Sequence, residues 1–137
     1  MSLSGNGNVG IGTSSPSQKL DIAGNVNLTG KITKPATGTA NLLPVAFGNV
    51  GNDGSIISGT GNFIITHPFN GHYRITILGD TYSMATHVAV ATVSSTTGLT
   101  INLFSDAGTG FLDVAIINPN TIAGINASFS FDIYELN

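Results

Sequence analysis

Gly71-His72-Tyr73-Arg74-Ile75-Thr76-Ile77-Leu78 alternates two kinds of side chain. Successive side chains of a β-strand point to opposite faces. Tyr73, Ile75 and Ile77 therefore share one face, and Arg74, Thr76 and Leu78 the other. Phe129-Ser130-Phe131-Asp132-Ile133 repeats the pattern, with Phe129, Phe131 and Ile133 on one side. Both stretches predict core strands with one face buried and one exposed. Further strands are expected over 43–49, 55–58, 62–67, 84–93, 99–104 and 112–117, and the second alternating stretch extends over 127–135. The breaks carry turn chemistry: Asn52-Asp53-Gly54, Pro68-Phe69-Asn70-Gly71, Gly79-Asp80, Thr97-Gly98, Asp106-Ala107-Gly108 and Asn118-Pro119-Asn120. Short strands at such spacing indicate an antiparallel β-sandwich or barrel. No sustained period of 3.6 residues appears, so almost no helix is expected. The fold class is all-β, with the sandwich head spanning 42–137.

Two runs break the alternation. Val88-Ala89-Val90-Ala91 and Val114-Ala115-Ile116-Ile117 carry apolar or small residues at every position. A strand buried on both sides in so small a domain implies that its second side meets another subunit.

Upstream, the character changes. Residues 8–32 string short β-prone pieces (Val9–Ile11, Lys19–Ile22, Asn25–Leu28, Lys31–Thr33) between Gly, Asn, Ser and Pro. Each piece is too short to bury a face alone. Val9, Ile11, Leu20, Ile22, Val26, Leu28 and Ile32 need partners, and identical chains are the nearest supply. Residues 1–34 are read as a fibre shaft segment and 35–41 as a linker, rich in Pro, Gly and small polar residues. The motifs Asn8-Val9-Gly10-Ile11-Gly12-Thr13, Ser15-Pro16, Lys19-Leu20-Asp21-Ile22 and Gly24-Asn25-Val26 resemble shaft segments of bacteriophage tail fibres and related bacterial appendage proteins. Val45–Val50, Asp53-Gly54, Ser58–Phe63 and Gly71–Ile77 resemble the opening strands of fibre heads akin to trimeric C1q and tumour-necrosis-factor jelly rolls. Phe129–Tyr134 fits the last strand of that pattern. The resemblance implies a homotrimer: a short intertwined shaft leading into a jelly-roll head, joined upstream to other fibre or baseplate proteins.

Composition narrows the function classes. The chain has 137 residues, enough for one core. Only 8% are charged, against a usual ~25%. Hydrophobic content of 41% separates it from disordered chains. Lys19, Lys31, Lys34 and Arg74 are its basic residues and the net charge is −3, so no basic patch for nucleic acid or acidic lipid is expected. No apolar run is long enough for a membrane-spanning helix. No signal peptide is visible. That fits a protein made in the bacterial cytoplasm and ending in a virion tail fibre or extracellular appendage. With zero cysteines there are no disulfides or thiolate metal sites.

Chemistry-bearing motifs are sparse. Gly5-Asn6-Gly7-Asn8-Val9-Gly10 spells a dinucleotide fingerprint but lacks the flanking strand and helix that a fingerprint needs, so it reads as shaft turns. His67 and His72 flank a turn and could face each other across a hairpin, while a zinc site needs three or four convergent ligands. No metal or cofactor is expected. The carboxylates are scattered, no Gly-x-Ser-x-Gly motif occurs, and enzymatic activity is not expected. Aromatic rings beside loops are platforms for sugars. Asp80, Tyr82 and His87, with Asp106 and Phe111 in a second Gly-rich loop, form the candidate ligand site, expected near the exposed tip or its flank. The leading expectation is a non-catalytic fibre tip recognising a host-surface receptor, a glycan ahead of a protein. The alternatives are a trimerisation module without a ligand and a fragment of a polysaccharide-degrading tailspike.

Overall fold

A computed structural model describes residues 1–5, 7–35, 41–105 and 108–136. It contains two compact units, Met1–Gly30 and Lys31–Asn137. Strand, turn and loop make up the described residues, and no α-helix occurs among them.

The first unit is a small sheet of β1 (Ser2–Leu3), β2 (Val9–Ile11) and β3 (Leu20–Ile22). β2 pairs antiparallel with β1 and parallel with β3. Polar side chains hold the connections. Asn8 Nδ2 donates to the Pro16 carbonyl, Ser2 Oγ donates to the Thr13 carbonyl, and Asp21 Oδ2 accepts from Ser17 N–H and Oγ–H. Those two bonds from Ser17 hold the Asp21 carboxyl below its ordinary range. The described residues of the Gly5–Gly10 motif thus lie in turns and a short strand. The strands expected over Asn25–Leu28 and Lys31–Thr33 are absent. A strand needs a neighbour for its backbone groups, and among the described residues neither piece pairs with another strand. Val26, Leu28 and Ile32 stay exposed, as do Leu3 (73%) and Leu20 (58%).

The second unit is an antiparallel β-sandwich. Its strands are β4 (Pro44–Val50), β5 (Ile56–Gly59), β6 (Phe63–Phe69), β7 (His72–Ile77), β8 (His87–Ser94), β9 (Thr100–Phe104), β10 (Leu112–Ile117) and β11 (Ser128–Glu135). One sheet has the order β6-β7-β10-β9 and the other β5-β4-β11-β8. The first and last strands pair at the centre of the second sheet. Tyr73, Ile75, Ile77, Val114 and Ile116 of one sheet meet Ala46, Val50, Phe129, Phe131 and Ile133 of the other in a single core. Phe63 meets Phe131 edge to face at 4.9 Å. Gly48 permits this approach, because a Cβ there would strike the Phe63 ring. Gly71 is fixed by its φ of 71° and by its closeness to the backbone of Ile116 and Ile125.

Lys31 and Ile32, read from sequence with the shaft, belong to the sandwich unit. Lys31 Nζ lies 3.0 Å from Glu135 Oε2, and the Ile32 carbonyl accepts from Leu42 N–H. The pairs Tyr134↔Pro44 and Glu135↔His87 lie at the same end of the sandwich, which we call proximal. The opposite, distal end carries the 51–55, 68–71, 95–99 and 118–127 connections.

The apolar runs divide between the two faces of their strands. Ala89 and Ala91 face the core, while Val88 and Val90 (58% exposed) face outward beside Phe47 and Tyr134. Val114 and Ile116 are buried, and Ala115 and Ile117 lie half-covered on the outer face.

Candidate functional site

The loops carrying the expected ligand site lie at the proximal end of the sandwich. Phe63 pairs with Ile77 and Leu112 with Ile75, so the 78–86 and 105–111 loops leave the sheet at the end where Lys31 meets Glu135. The two loops touch: Tyr82 N–H donates to the Gly110 carbonyl at 3.2 Å.

Asp80, Tyr82 and His87 do come together, with Tyr82 and His87 buried and Asp80 exposed beside them. Tyr82 is only 3% exposed and stacks on the His87 ring at 5.3 Å. His87 Nε2 lies 3.1 Å from Asp80 Oδ2. Its Nδ1 faces Thr86 Oγ1 at 3.0 Å and the Ser83 N–H at 3.4 Å. This pattern places the ring proton on Nε2, donated to Asp80, and makes Nδ1 the acceptor. The imidazole is buried with both nitrogens engaged, so neither is free for a ligand. Phe111 is half-buried, and the Arg74 guanidinium lies 3.7 Å from its ring centroid. Asp106 lies outside the described residues. The expectation that Tyr82 offers a sugar-stacking face is therefore corrected: its ring closes the proximal end of the core. The alternation of Tyr73–Ile77 ends at Gly79, so periodicity could not show that Tyr82 turns back inward.

Burial raises the phenols of Tyr82 and Tyr73 above their ordinary 10.0. The folded chain holds these protons more tightly than the unfolded one, so the associated stability is intact below pH 10 and is lost as pH rises through the folded values. Thermal melts carried upward from about pH 9 are expected to show a fall in melting temperature that the Tyr73→Phe/Tyr82→Phe double variant flattens. An equal fall in both proteins would assign the decline to other groups.

The histidines flanking the 68–71 turn do not face each other. β6 is bulged between Thr66 and Phe69, which shifts the register. His67 stacks on Tyr73 at 4.4 Å and bonds Asn126, while His72 pairs with Phe69 and lies on the opposite face of the sheet. Among the described residues no group of three His, Asp or Glu side chains is placed to hold a metal.

Two features escaped the sequence. The first is Asp113, on the outer face of β10 yet 1% exposed. Its Oδ1 lies 3.1 Å from Arg74 Nε and 3.0 Å from His72 Nε2. The parallel ring of Phe104 packs 5.6 Å from His72 and helps enclose this cluster. The second is an open pocket of about 650 Å³ at the distal end. Ser94, Ser95, Thr96 and Thr97 line it together with Asn52 and Asn126, and Leu99, Ile125 and Ala127 supply its apolar part. Four consecutive hydroxyl side chains were its one signal in the sequence, and that run reads equally well as an ordinary loop.

Compared with known proteins, the chain matches no protein-family model, no curated protein and no solved structure.

Proposed function

We propose that this chain is a non-catalytic, homotrimeric fibre tip that attaches a phage tail or phage-like appendage to a surface receptor. The observation that carries the reading is the exposure of Leu3, Ile11, Leu20, Val26, Leu28 and Ile32 in and just after a sheet of very short strands. Such a row is stable in water only when covered. Identical chains offer matching apolar rows and strand partners for 25–28 and 31–33. The resemblance of Asn8–Val26 to fibre shafts points the same way, and so does the sandwich that follows. Attachment through three equivalent heads gains strength by multivalency without any tight single contact.

Exposed Phe47, Val88 and Val90 on the outer face of the β5-β4-β11-β8 sheet favour a second reading. The sandwich would then serve only to register three chains, while another segment of the fibre contacts the receptor.

Light scattering and a binding assay on a panel of bacterial cells test both. A mass three times the 14.0 kDa of one chain, with saturable attachment to some strains, is expected. A monomer at micromolar concentration overturns the fibre reading. A trimer that attaches to no strain leaves the registering role alone.

A further inference from the structure

We propose that the distal pocket of the sandwich binds a neutral saccharide; the inference deepens the receptor-binding reading and rests on it for its biological meaning. Its volume of about 650 Å³ falls within the ~300–1,000 Å³ range of small-molecule sites. None of its lining side chains is charged, so an anion or cation would find no counter-charge there. What it offers is hydroxyls and amides beside an aliphatic surface, the two textures of a sugar ring.

The polar groups divide into fixed and open ones. Asn126 is committed to the fold: its Oδ1 accepts from Gly71 N–H at 2.7 Å and lies 3.0 Å from His67 Nε2. Ser95 Oγ and Thr97 Oγ1 lie 3.0 Å apart and order the hydroxyl run. Among the described residues the Asn52 carboxamide and the Thr96 hydroxyl have no protein partner and are open to a ligand. Leu99 and Ile125 provide apolar surface for the C–H face of a ring. A frame already ordered loses little freedom on binding.

Backbone strain sits in the same region. Ile122 has a φ of 58° and is 79% exposed. That conformation is unfavourable for a β-branched residue. It is held because the Asn118 carbonyl accepts from Thr121 and Ile122 N–H, and Asn118 N–H donates to the Ala123 carbonyl. The strained turn leads directly into Ile125–Ala127 at the pocket wall.

The test is a titration of the isotope-labelled full chain with glucose, galactose and N-acetylglucosamine, with sialic acid as a charged control, followed by NMR at low and high salt. At least one neutral sugar should shift amides of 94–99 and 125–127, with little dependence on salt. Asn52→Ala should weaken that binding about three- to tenfold, the loss of one or two hydrogen bonds. Thr96→Lys should abolish it, and both variants should melt like the parent. A chain that attaches to cells but binds none of the neutral sugars, or binds sialic acid best, overturns this inference and leaves the fibre reading standing. Equal sugar binding by Asn52→Ala and Thr96→Lys overturns it as well. Sugar binding by a chain that is monomeric and attaches to no cell overturns the fibre reading and leaves the pocket.

Discussion

Ile75→Asp is expected to prevent folding of the sandwich. Ile75 is fully buried at the centre of β7, opposite Leu112 on one side and Ile65 on the other. Its side chain lies among Tyr73, Ile77 and Phe129 in a core without a charged member. A carboxylate placed there has no cation or hydrogen-bond donor to meet it. Burying such a group costs at least several kcal/mol, comparable to the ~5–15 kcal/mol that hold a domain together. Protonation would lower the penalty but still leave an unsatisfied polar group and lost packing. The expected result is insoluble protein, or a soluble chain without a cooperative melt. Ile75→Val should cost only ~1 kcal/mol and fold normally. A soluble Ile75→Asp protein that melts cooperatively would show that the core lies elsewhere.

The same strand explains why so much of the sandwich was legible. Each of the eight strands expected after residue 42 is present, with no end shifted by more than three residues. Alternation reports which side chains face a common core, and the core is built within one chain. Where the pattern depends on distant pairing, reading from sequence fails. Asn25–Leu28 and Lys31–Thr33 have strand-like composition, but a strand is made by its neighbour, and composition does not supply one. Tyr82 looked like a loop aromatic because periodicity stops at Gly79. Its inward turn depends on Gly110 and His87, which are far along the chain or on another strand. His67 and His72 are separated by a bulge that no short-range rule predicts. The distal pocket combines three connections, and its residues become neighbours only when the two sheets pack.

Asp113→Ala is expected to be the most damaging substitution outside the apolar core. Alternation alone assigns Asp113 to the solvent side of β10, opposite Leu112 and Val114. The structure buries it instead, with Arg74 and His72 both turned toward Oδ1. These partners come from the adjacent strand, where Arg74 is the register partner of Asp113. Removing the carboxylate takes away the oxygen 3.0 Å from His72 Nε2, a buried ring nitrogen that makes no well-aligned hydrogen bond, and frees the Arg74 guanidinium, which also lies over Phe111. Breaking a fully buried ion pair costs ~3–5 kcal/mol. Arg74 is about one-third exposed and can turn to water, which lowers the expected cost to ~2–3 kcal/mol. For a domain of this size that is a fall in melting temperature on the order of 10 °C. Asp113→Asn keeps an acceptor oxygen but not the charge, and should fall between the two. Double-mutant cycles with Arg74→Ala and His72→Ala would divide the loss between the two partners. If Asp113→Ala melts with the parent, the burial of this carboxylate contributes nothing to stability, and the outer face of the β6-β7-β10-β9 sheet is held by Phe104 and Phe111 packing alone.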